Sequence, residues 1–190
     1  MGKPARTLGR TGCADVNLWQ QHFLPSHIKE IVVAETPSAL NCQVPEFSAP
    51  MTGGNTFQLS NFAGKNIVLY FYPKDNTPGC TTEGIAFRDL HPRFSAANTE
   101  IFGISRDSLR SHEGFKTKLA LPFDLISDPD ETLCQLFNVM KMKNMYGKQV
   151  RGIERSTFLI DAKGKLVKEW RGVKVAGHVD EVLEFVSAQT

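Results

Sequence analysis

Cysteine is scarce in this chain and widely scattered. Cys13, Cys42, Cys80 and Cys134 follow one another at separations of 29, 38 and 54 residues. That excludes a disulfide scaffold and a thiolate zinc site, both of which need closer, paired sulfurs. Long hydrophobic runs are also missing. Ile67 to Tyr72 is the longest, far short of the roughly 20 residues that span a bilayer. Neither sign of charge dominates: 22 Lys and Arg stand against 20 Asp and Glu, for a net charge of +2. Nothing global therefore recruits nucleic acid or an anionic membrane. A phosphate-binding glycine loop is absent, since Gly53-Gly54 stands alone as a turn. His22, His27, His91, His112 and His178 share no metal-ligand spacing and read as surface or capping residues. Met1 to Arg10 is basic, but no apolar stretch follows to make a signal peptide. Arg6 stands where a myristoylation motif needs Ser or Thr. The thiols are expected to be reduced, in the cytoplasm.

What is present suits a soluble enzyme-sized fold. Of 190 residues, 41% are apolar and 22% charged, enough for one domain with a real core. Residues 1–42 lack a lasting period and read as a poorly ordered arm, with one short helix at best between Asn17 and Ile28, where Pro25 interrupts. Residues 43–190 are punctuated regularly. Thr56 to Ser60 alternates as a short strand. Ile67 to Tyr72 is apolar throughout, the pattern of a central strand covered on both faces. A helix is expected from Thr81 to about Ala97, kinked at Pro92. Then come a strand at Ile101–Ser105, a helix at Ser108–Leu119, a short strand at Phe123–Ile126 and a helix carrying Leu133, Leu136 and Phe137. Thr157–Ile160 and Leu166–Trp170 form a hairpin about the Asp161–Lys165 turn, with Phe158 and Trp170 in the core. His178–Ala188 closes the chain as a helix. Strands alternating with helices and ending in a hairpin predict an α/β three-layer sandwich around a mixed sheet.

Cys80 differs from the other cysteines in its setting. It follows the apolar strand and the turn Pro73-Lys74-Asp75-Asn76-Thr77-Pro78-Gly79, where the next helix begins. A helix N-terminus carries partial positive charge and unpaired N–H groups. A thiolate there is stabilised by those donors. Pro73 and Pro78 stiffen the loop, and Gly79 lets backbone N–H groups approach. Thr77, three residues before the sulfur, can offer its hydroxyl to the thiolate or to an incoming oxygen. A lone cysteine is ordinarily a small buried hydrophobe. The Pro-x-x-x-Thr-x-x-Cys frame after a buried strand favours a reactive one.

The stretch Tyr70-Phe71-Tyr72-Pro73-Lys74-Asp75-Asn76-Thr77-Pro78-Gly79-Cys80-Thr81 resembles the peroxiredoxins, in their bacterioferritin-comigratory-protein or peroxiredoxin Q branch. Gly152 to Asp161 and the opening Val44-Pro45-Glu46-Phe47 carry the same resemblance, which spans about residues 44–187. It implies a thioredoxin-like fold and reduction of hydrogen peroxide and organic hydroperoxides, without cofactor or metal, by a peroxidatic cysteine that falls at Cys80. Pro73, Thr77 and Arg155 match the family's other active-site positions, and Gly79 lies in the same motif. Arg155 suits the part because it stays protonated and offers a rigid fork of donors. Glu83, one turn into the helix, is expected to be mainly structural, with a minor part in orienting Arg155.

A sulfenic acid formed on Cys80 must be resolved. The family's usual resolving positions, five and about 36 residues further on, hold Ile85 and Lys116. The resemblance therefore implies a one-cysteine cycle completed by thioredoxin, glutaredoxin or glutathione. A two-cysteine cycle through Cys134, Cys42 or Cys13 is the alternative, and Cys134 reads as an ordinary buried cysteine. A monomer or weak dimer is expected. Two other classes compete. Disulfide exchange through Cys-x-x-Cys fails because Glu83 holds the fourth position. Lys141, Lys143, Lys148, Arg151 and Arg155, interleaved with Met140, Met142, Met145 and Tyr146, could form a redox-sensing or binding patch. It reads rather as a solvated loop whose methionines close over the substrate pocket.

Overall fold

In the computed structural model, residues 39–145 and 148–189 are described. The expected arm lies almost wholly outside them, as do Cys13, His22, His27 and Tyr146. The order is β1 (Ser48–Met51), β2 (Asn55–Gln58), β3 (Asn66–Phe71), α1 (Pro78–Ala96), β4 (Thr99–Ser105), α2 (Leu109–Leu119) and β5 (Asp124–Ser127). Then follow α3 (Thr132–Leu136), β6 (Met140–Met145), β7 (Lys148–Ile153), β8 (Ser156–Ile160), β9 (Leu166–Trp170) and α4 (His178–Ser187). Seven strands make one sheet in the order β2-β1-β5-β4-β3-β8-β9. β3, β4 and β5 run parallel, while β8 and β9 pair antiparallel beside β3, so the sheet is mixed as expected.

β3 sits near the middle of the sheet and is buried on both faces. Successive side chains of a strand point to opposite faces. Ile67, Leu69 and Phe71 join one core with Phe137, Phe158, Phe57 and Cys134. Val68, Tyr70 and Tyr72 join another with Cys80, Phe87, Phe94, Phe115 and Val182, beneath α1, α2 and α4. Each such burial stabilises the fold by roughly 1.5–3 kcal/mol. The face of Ile67, Leu69 and Phe71 is covered by α3, the segment around Phe47 and Leu59, and the root of the β6–β7 ribbon. Gly103 is where the tight fit shows, because a Cβ there would lie 2.6 Å from the Tyr70 ring.

Local chemistry explains the helix limits. α1 starts three residues before the expected Thr81, with Pro78 in the first helical position, where its fixed φ and missing N–H cost nothing. It runs continuously through Pro92. Ser108 caps α2 by accepting the Ser111 N–H, and Ala120 ends it in the left-handed conformation. Asp180 and Glu181 sit in the first turn of α4, favourable for the helix dipole.

The basic segment after Val139 is not a loop over a pocket. It is a two-stranded antiparallel ribbon in which Met140 faces Ile153. Met140 packs against the core on the face away from Cys80. Met142 is 61% exposed, which corrects the expectation that it closes over a substrate.

Candidate active site

Sheet register builds this site. β3 and β8 are antiparallel with Phe71 opposite Ser156. The residues just beyond each strand end therefore meet: the Pro73–Gly79 turn on one side and Arg155 on the other. The Val173 N–H donates to the Arg155 carbonyl at 2.9 Å, so the β9–α4 loop also holds that backbone.

Cys80 lies in the first turn of the 19-residue α1, where N–H groups have no intrahelical acceptor, and is 2% exposed. Arg155 Nη2 is 3.2 Å from its Sγ. The other arm of the guanidinium, Nη1, pairs with Glu83 Oε2. Arg155 is thus a fork between the sulfur and a fully buried carboxylate. Burial raises the Glu83 carboxyl to about 7, although Arg155 pulls it down. The Arg155 guanidinium is held above its usual range: burial opposes this, but Glu83 and Cys80 together prevail. Gly79 borders the guanidinium: a Cβ there would stand 3.4 Å from Arg155 Nη2, in ordinary van der Waals contact.

Not every expected residue takes the expected contact. Thr77 occupies the N-cap of α1, but its hydroxyl donates to the Lys74 carbonyl at 3.1 Å rather than to Cys80. It would have to rotate that hydrogen to serve an oxyanion. Pro73 is exposed at the start of the turn. Two histidines are not surface residues: His112 is 0% exposed and His178 5%. His178 pairs with the Thr157 hydroxyl at 2.8 Å, and burial lowers its pKa. His112 lies against Asp75 of the Pro73–Gly79 turn, an alliance that sequence spacing does not reveal.

The free cysteines among the described residues are Cys80 and Cys134; Cys42 is disulfide-bonded, which corrects the expectation that all the thiols are reduced. Cys134 lies on α3 in the opposite core, 0% exposed. Its N–H donates to Asp128 Oδ2 at 2.8 Å, and burial together with that carboxylate pushes the thiol well above its ordinary value. The Cys42 carbonyl accepts from Leu166 N–H at 3.0 Å. Leu166 pairs with Ile160, and Ile160 with Ile67, so the Cys42 backbone lies at the end of the sheet remote from Cys80. No cluster of His, Cys, Asp and Glu among the described residues could hold a metal.

Residues 40–169 match the AhpC/TSA family. A Xanthomonas campestris protein named Peroxiredoxin Bcp is 52% identical over 155 residues, covering 80% of this chain and 97% of the relative. The Bacillus subtilis Peroxiredoxin Bcp is 51% identical over 142 residues, covering 75% and 90%. A solved structure of Xanthomonas campestris Peroxiredoxin Q superposes with a TM-score of 0.72 at 54% identity, covering 75% of this chain and 90% of that one. The chain belongs to the AhpC/TSA family. Within it the relatives place the chain in the peroxiredoxin Q and Bcp branch, and it is a thiol peroxidase with the thioredoxin-like fold. Its substrate is a peroxide and its electrons come from a thiol reductant. No helix among the described residues is long and apolar enough to cross a membrane.

Proposed function

We propose that Cys80 is the peroxidatic nucleophile of the 43–190 domain and that Arg155 and Thr77 serve the peroxide at it. The observation that carries this is the 3.2 Å approach of Arg155 Nη2 to Sγ within the first turn of α1. The thiolate attacks one oxygen of hydrogen peroxide or an organic hydroperoxide. An S–O bond forms, the O–O bond breaks, and the departing oxygen leaves as hydroxide or alkoxide, to be protonated by water. Arg155 and the first-turn N–H groups of Gly79 and Cys80 stabilise the charge as it moves, and Thr77 can turn its hydroxyl to join them. Pro73 limits the turn's freedom. The chemistry needs no metal and no cofactor.

The sulfenic acid then condenses with an external thiol, releasing water and leaving a mixed disulfide. A second thiol displaces Cys80 and returns it reduced. Support for this one-cysteine cycle is structural. Ile85 packs against the core and Lys116 pairs with Asp124, so neither resolving position holds sulfur. Cys134 stands across the sheet. Disulfide geometry needs Cα atoms about 4.4–6.8 Å apart. Thioredoxin, glutaredoxin or glutathione in a reducing cytoplasm fits the reductant. Exposed large hydrophobics among the described residues are few (Leu40, Met142 and Val150), which suits a monomer or weak dimer.

Peptide mapping after peroxide treatment without added thiol tests the cycle. The expected product is a trapped sulfenic acid on Cys80. A disulfide from Cys80 to Cys134, Cys42 or Cys13 would replace the proposed cycle with a two-cysteine one. Side-by-side turnover with the three reductants identifies the electron donor.

A further inference from the structure

The turn that carries Cys80 is not held by its helix cap, since the Thr77 hydroxyl makes no cap bond. It is held through Asp75. This carboxylate is 5% exposed and accepts three side-chain donors: Tyr72 Oη at 2.8 Å, Ser111 Oγ at 2.7 Å and His112 Nδ1 at 3.0 Å. Its own N–H donates to Asp107 Oδ2 at 2.9 Å, and Asp107 accepts from Ser105 Oγ. The catalytic turn is thereby tied to the end of β3, to the first turns of α2 and to the segment after β4. Burial would raise the Asp75 carboxyl, yet the donors from His112, Ser111 and Tyr72 outweigh it and keep it ionised. His112 Nε2 has no hydrogen-bond partner among the described residues. The ring's polar contribution is therefore made through Nδ1 alone, at the Asp75 and Tyr72 side.

A fully buried histidine that spends one nitrogen on a turn and leaves the other unsatisfied is costly to keep. We propose that Asp75 and His112 are positioning residues that latch the Thr77–Cys80 turn so that Sγ stays within reach of the Arg155 fork. With the latch broken, the turn loosens and the sulfur leaves Nη2. The peroxide step then slows even though the fold survives. This rests on Cys80 being the peroxidatic thiol.

The test measures the single-turnover rate with hydrogen peroxide well below each variant's unfolding temperature, where a merely structural loss leaves the rate untouched. His112→Leu removes the donor and is expected to slow the step by about tenfold or more, since ångström-scale misplacement costs up to about 10²-fold. His112→Asn sets its Nδ2 where Nδ1 stood and should retain most of the rate. His112→Gln, whose amide reaches the Nε2 position instead, should not. Ser111→Ala removes one of the three donors and should give a smaller loss, which keeps the test open if His112→Leu does not fold. Equal rates for all these variants and the parent would overturn the latch, as would Gln rescuing as well as Asn. Cys80→Ser run alongside separates the two failures. If it kept the peroxide step, the reading of the site would fall. If it lost the step while His112→Leu did not, only the latch would.

Discussion

Cys80 and Cys134 are both free, both nearly inaccessible and both on helices of the same domain, at 2% and 0% exposure. They sit on opposite faces of one sheet, and their neighbours make them chemically unlike. Cys80 has a guanidinium at 3.2 Å and stands in the first turn of a long helix. Cys134 sits on a five-residue helix with the Asp128 carboxylate beside it, which repels a thiolate. Burial alone disfavours the charged form of any thiol. The difference lies in which charge is buried alongside. On the proposed reading, one face of the sheet makes a nucleophile and the other makes a packing residue.

The sharpest break in that contrast is removal of each sulfur. Cys80→Ser should abolish peroxidase turnover, whereas Cys134→Ser should leave steady-state turnover near the parent's and cost only stability. Next comes the cation. Arg155→Ala should slow the peroxide step by about 10²–10³, the range for a lost oxyanion donor, as followed by stopped-flow tryptophan fluorescence. Arg171→Ala, which removes a guanidinium paired with Glu169 away from Cys80, should not change that rate. An unchanged rate in Arg155→Ala would remove its assigned role.

The smallest expected effect is thermodynamic. The folded-state value of Glu83, about 7, lies above its ordinary value of 4.5. The folded protein therefore binds a proton that the unfolded chain releases between those limits, and stability falls as pH rises from about 4.5 through 7. Glu83→Gln should flatten that part of the pH–stability curve. Denaturant unfolding at several pH values measures it, and an unaltered slope in the variant would show that Glu83 does not carry the proton.

Much of this was legible in the chain. Unbroken apolarity marked β3 as central, and the turn after it placed Cys80 at a helix start. The β8–β9 hairpin was visible in its alternation and its Asp-Ala-Lys-Gly turn. Pro78 could have placed the start of α1 correctly, because proline favours the first helical position. The β6–β7 ribbon is hidden in the sequence by its lysines and arginines, which read as a charged loop. Yet Met140-Lys141-Met142-Lys143 alternates with the period of a strand. Asp75 and His112 were beyond reach, since 37 residues separate them and only the packing of α2 against the turn brings them together. The Arg155–Glu83 pair was half seen. The β3–β8 register brings Arg155 to the start of α1, where Glu83 lies, and no spacing along the chain encodes that register.

The contrast between the two sulfurs can be decided in one experiment on the unmodified protein. Fully reduced enzyme is treated with one equivalent of hydrogen peroxide in the presence of a sulfenic-acid trap, and both cysteine peptides are quantified. The trap should be found on Cys80, with Cys134 recovered as a thiol. Oxygen arriving first at Cys134, or equally at both, would contradict the account.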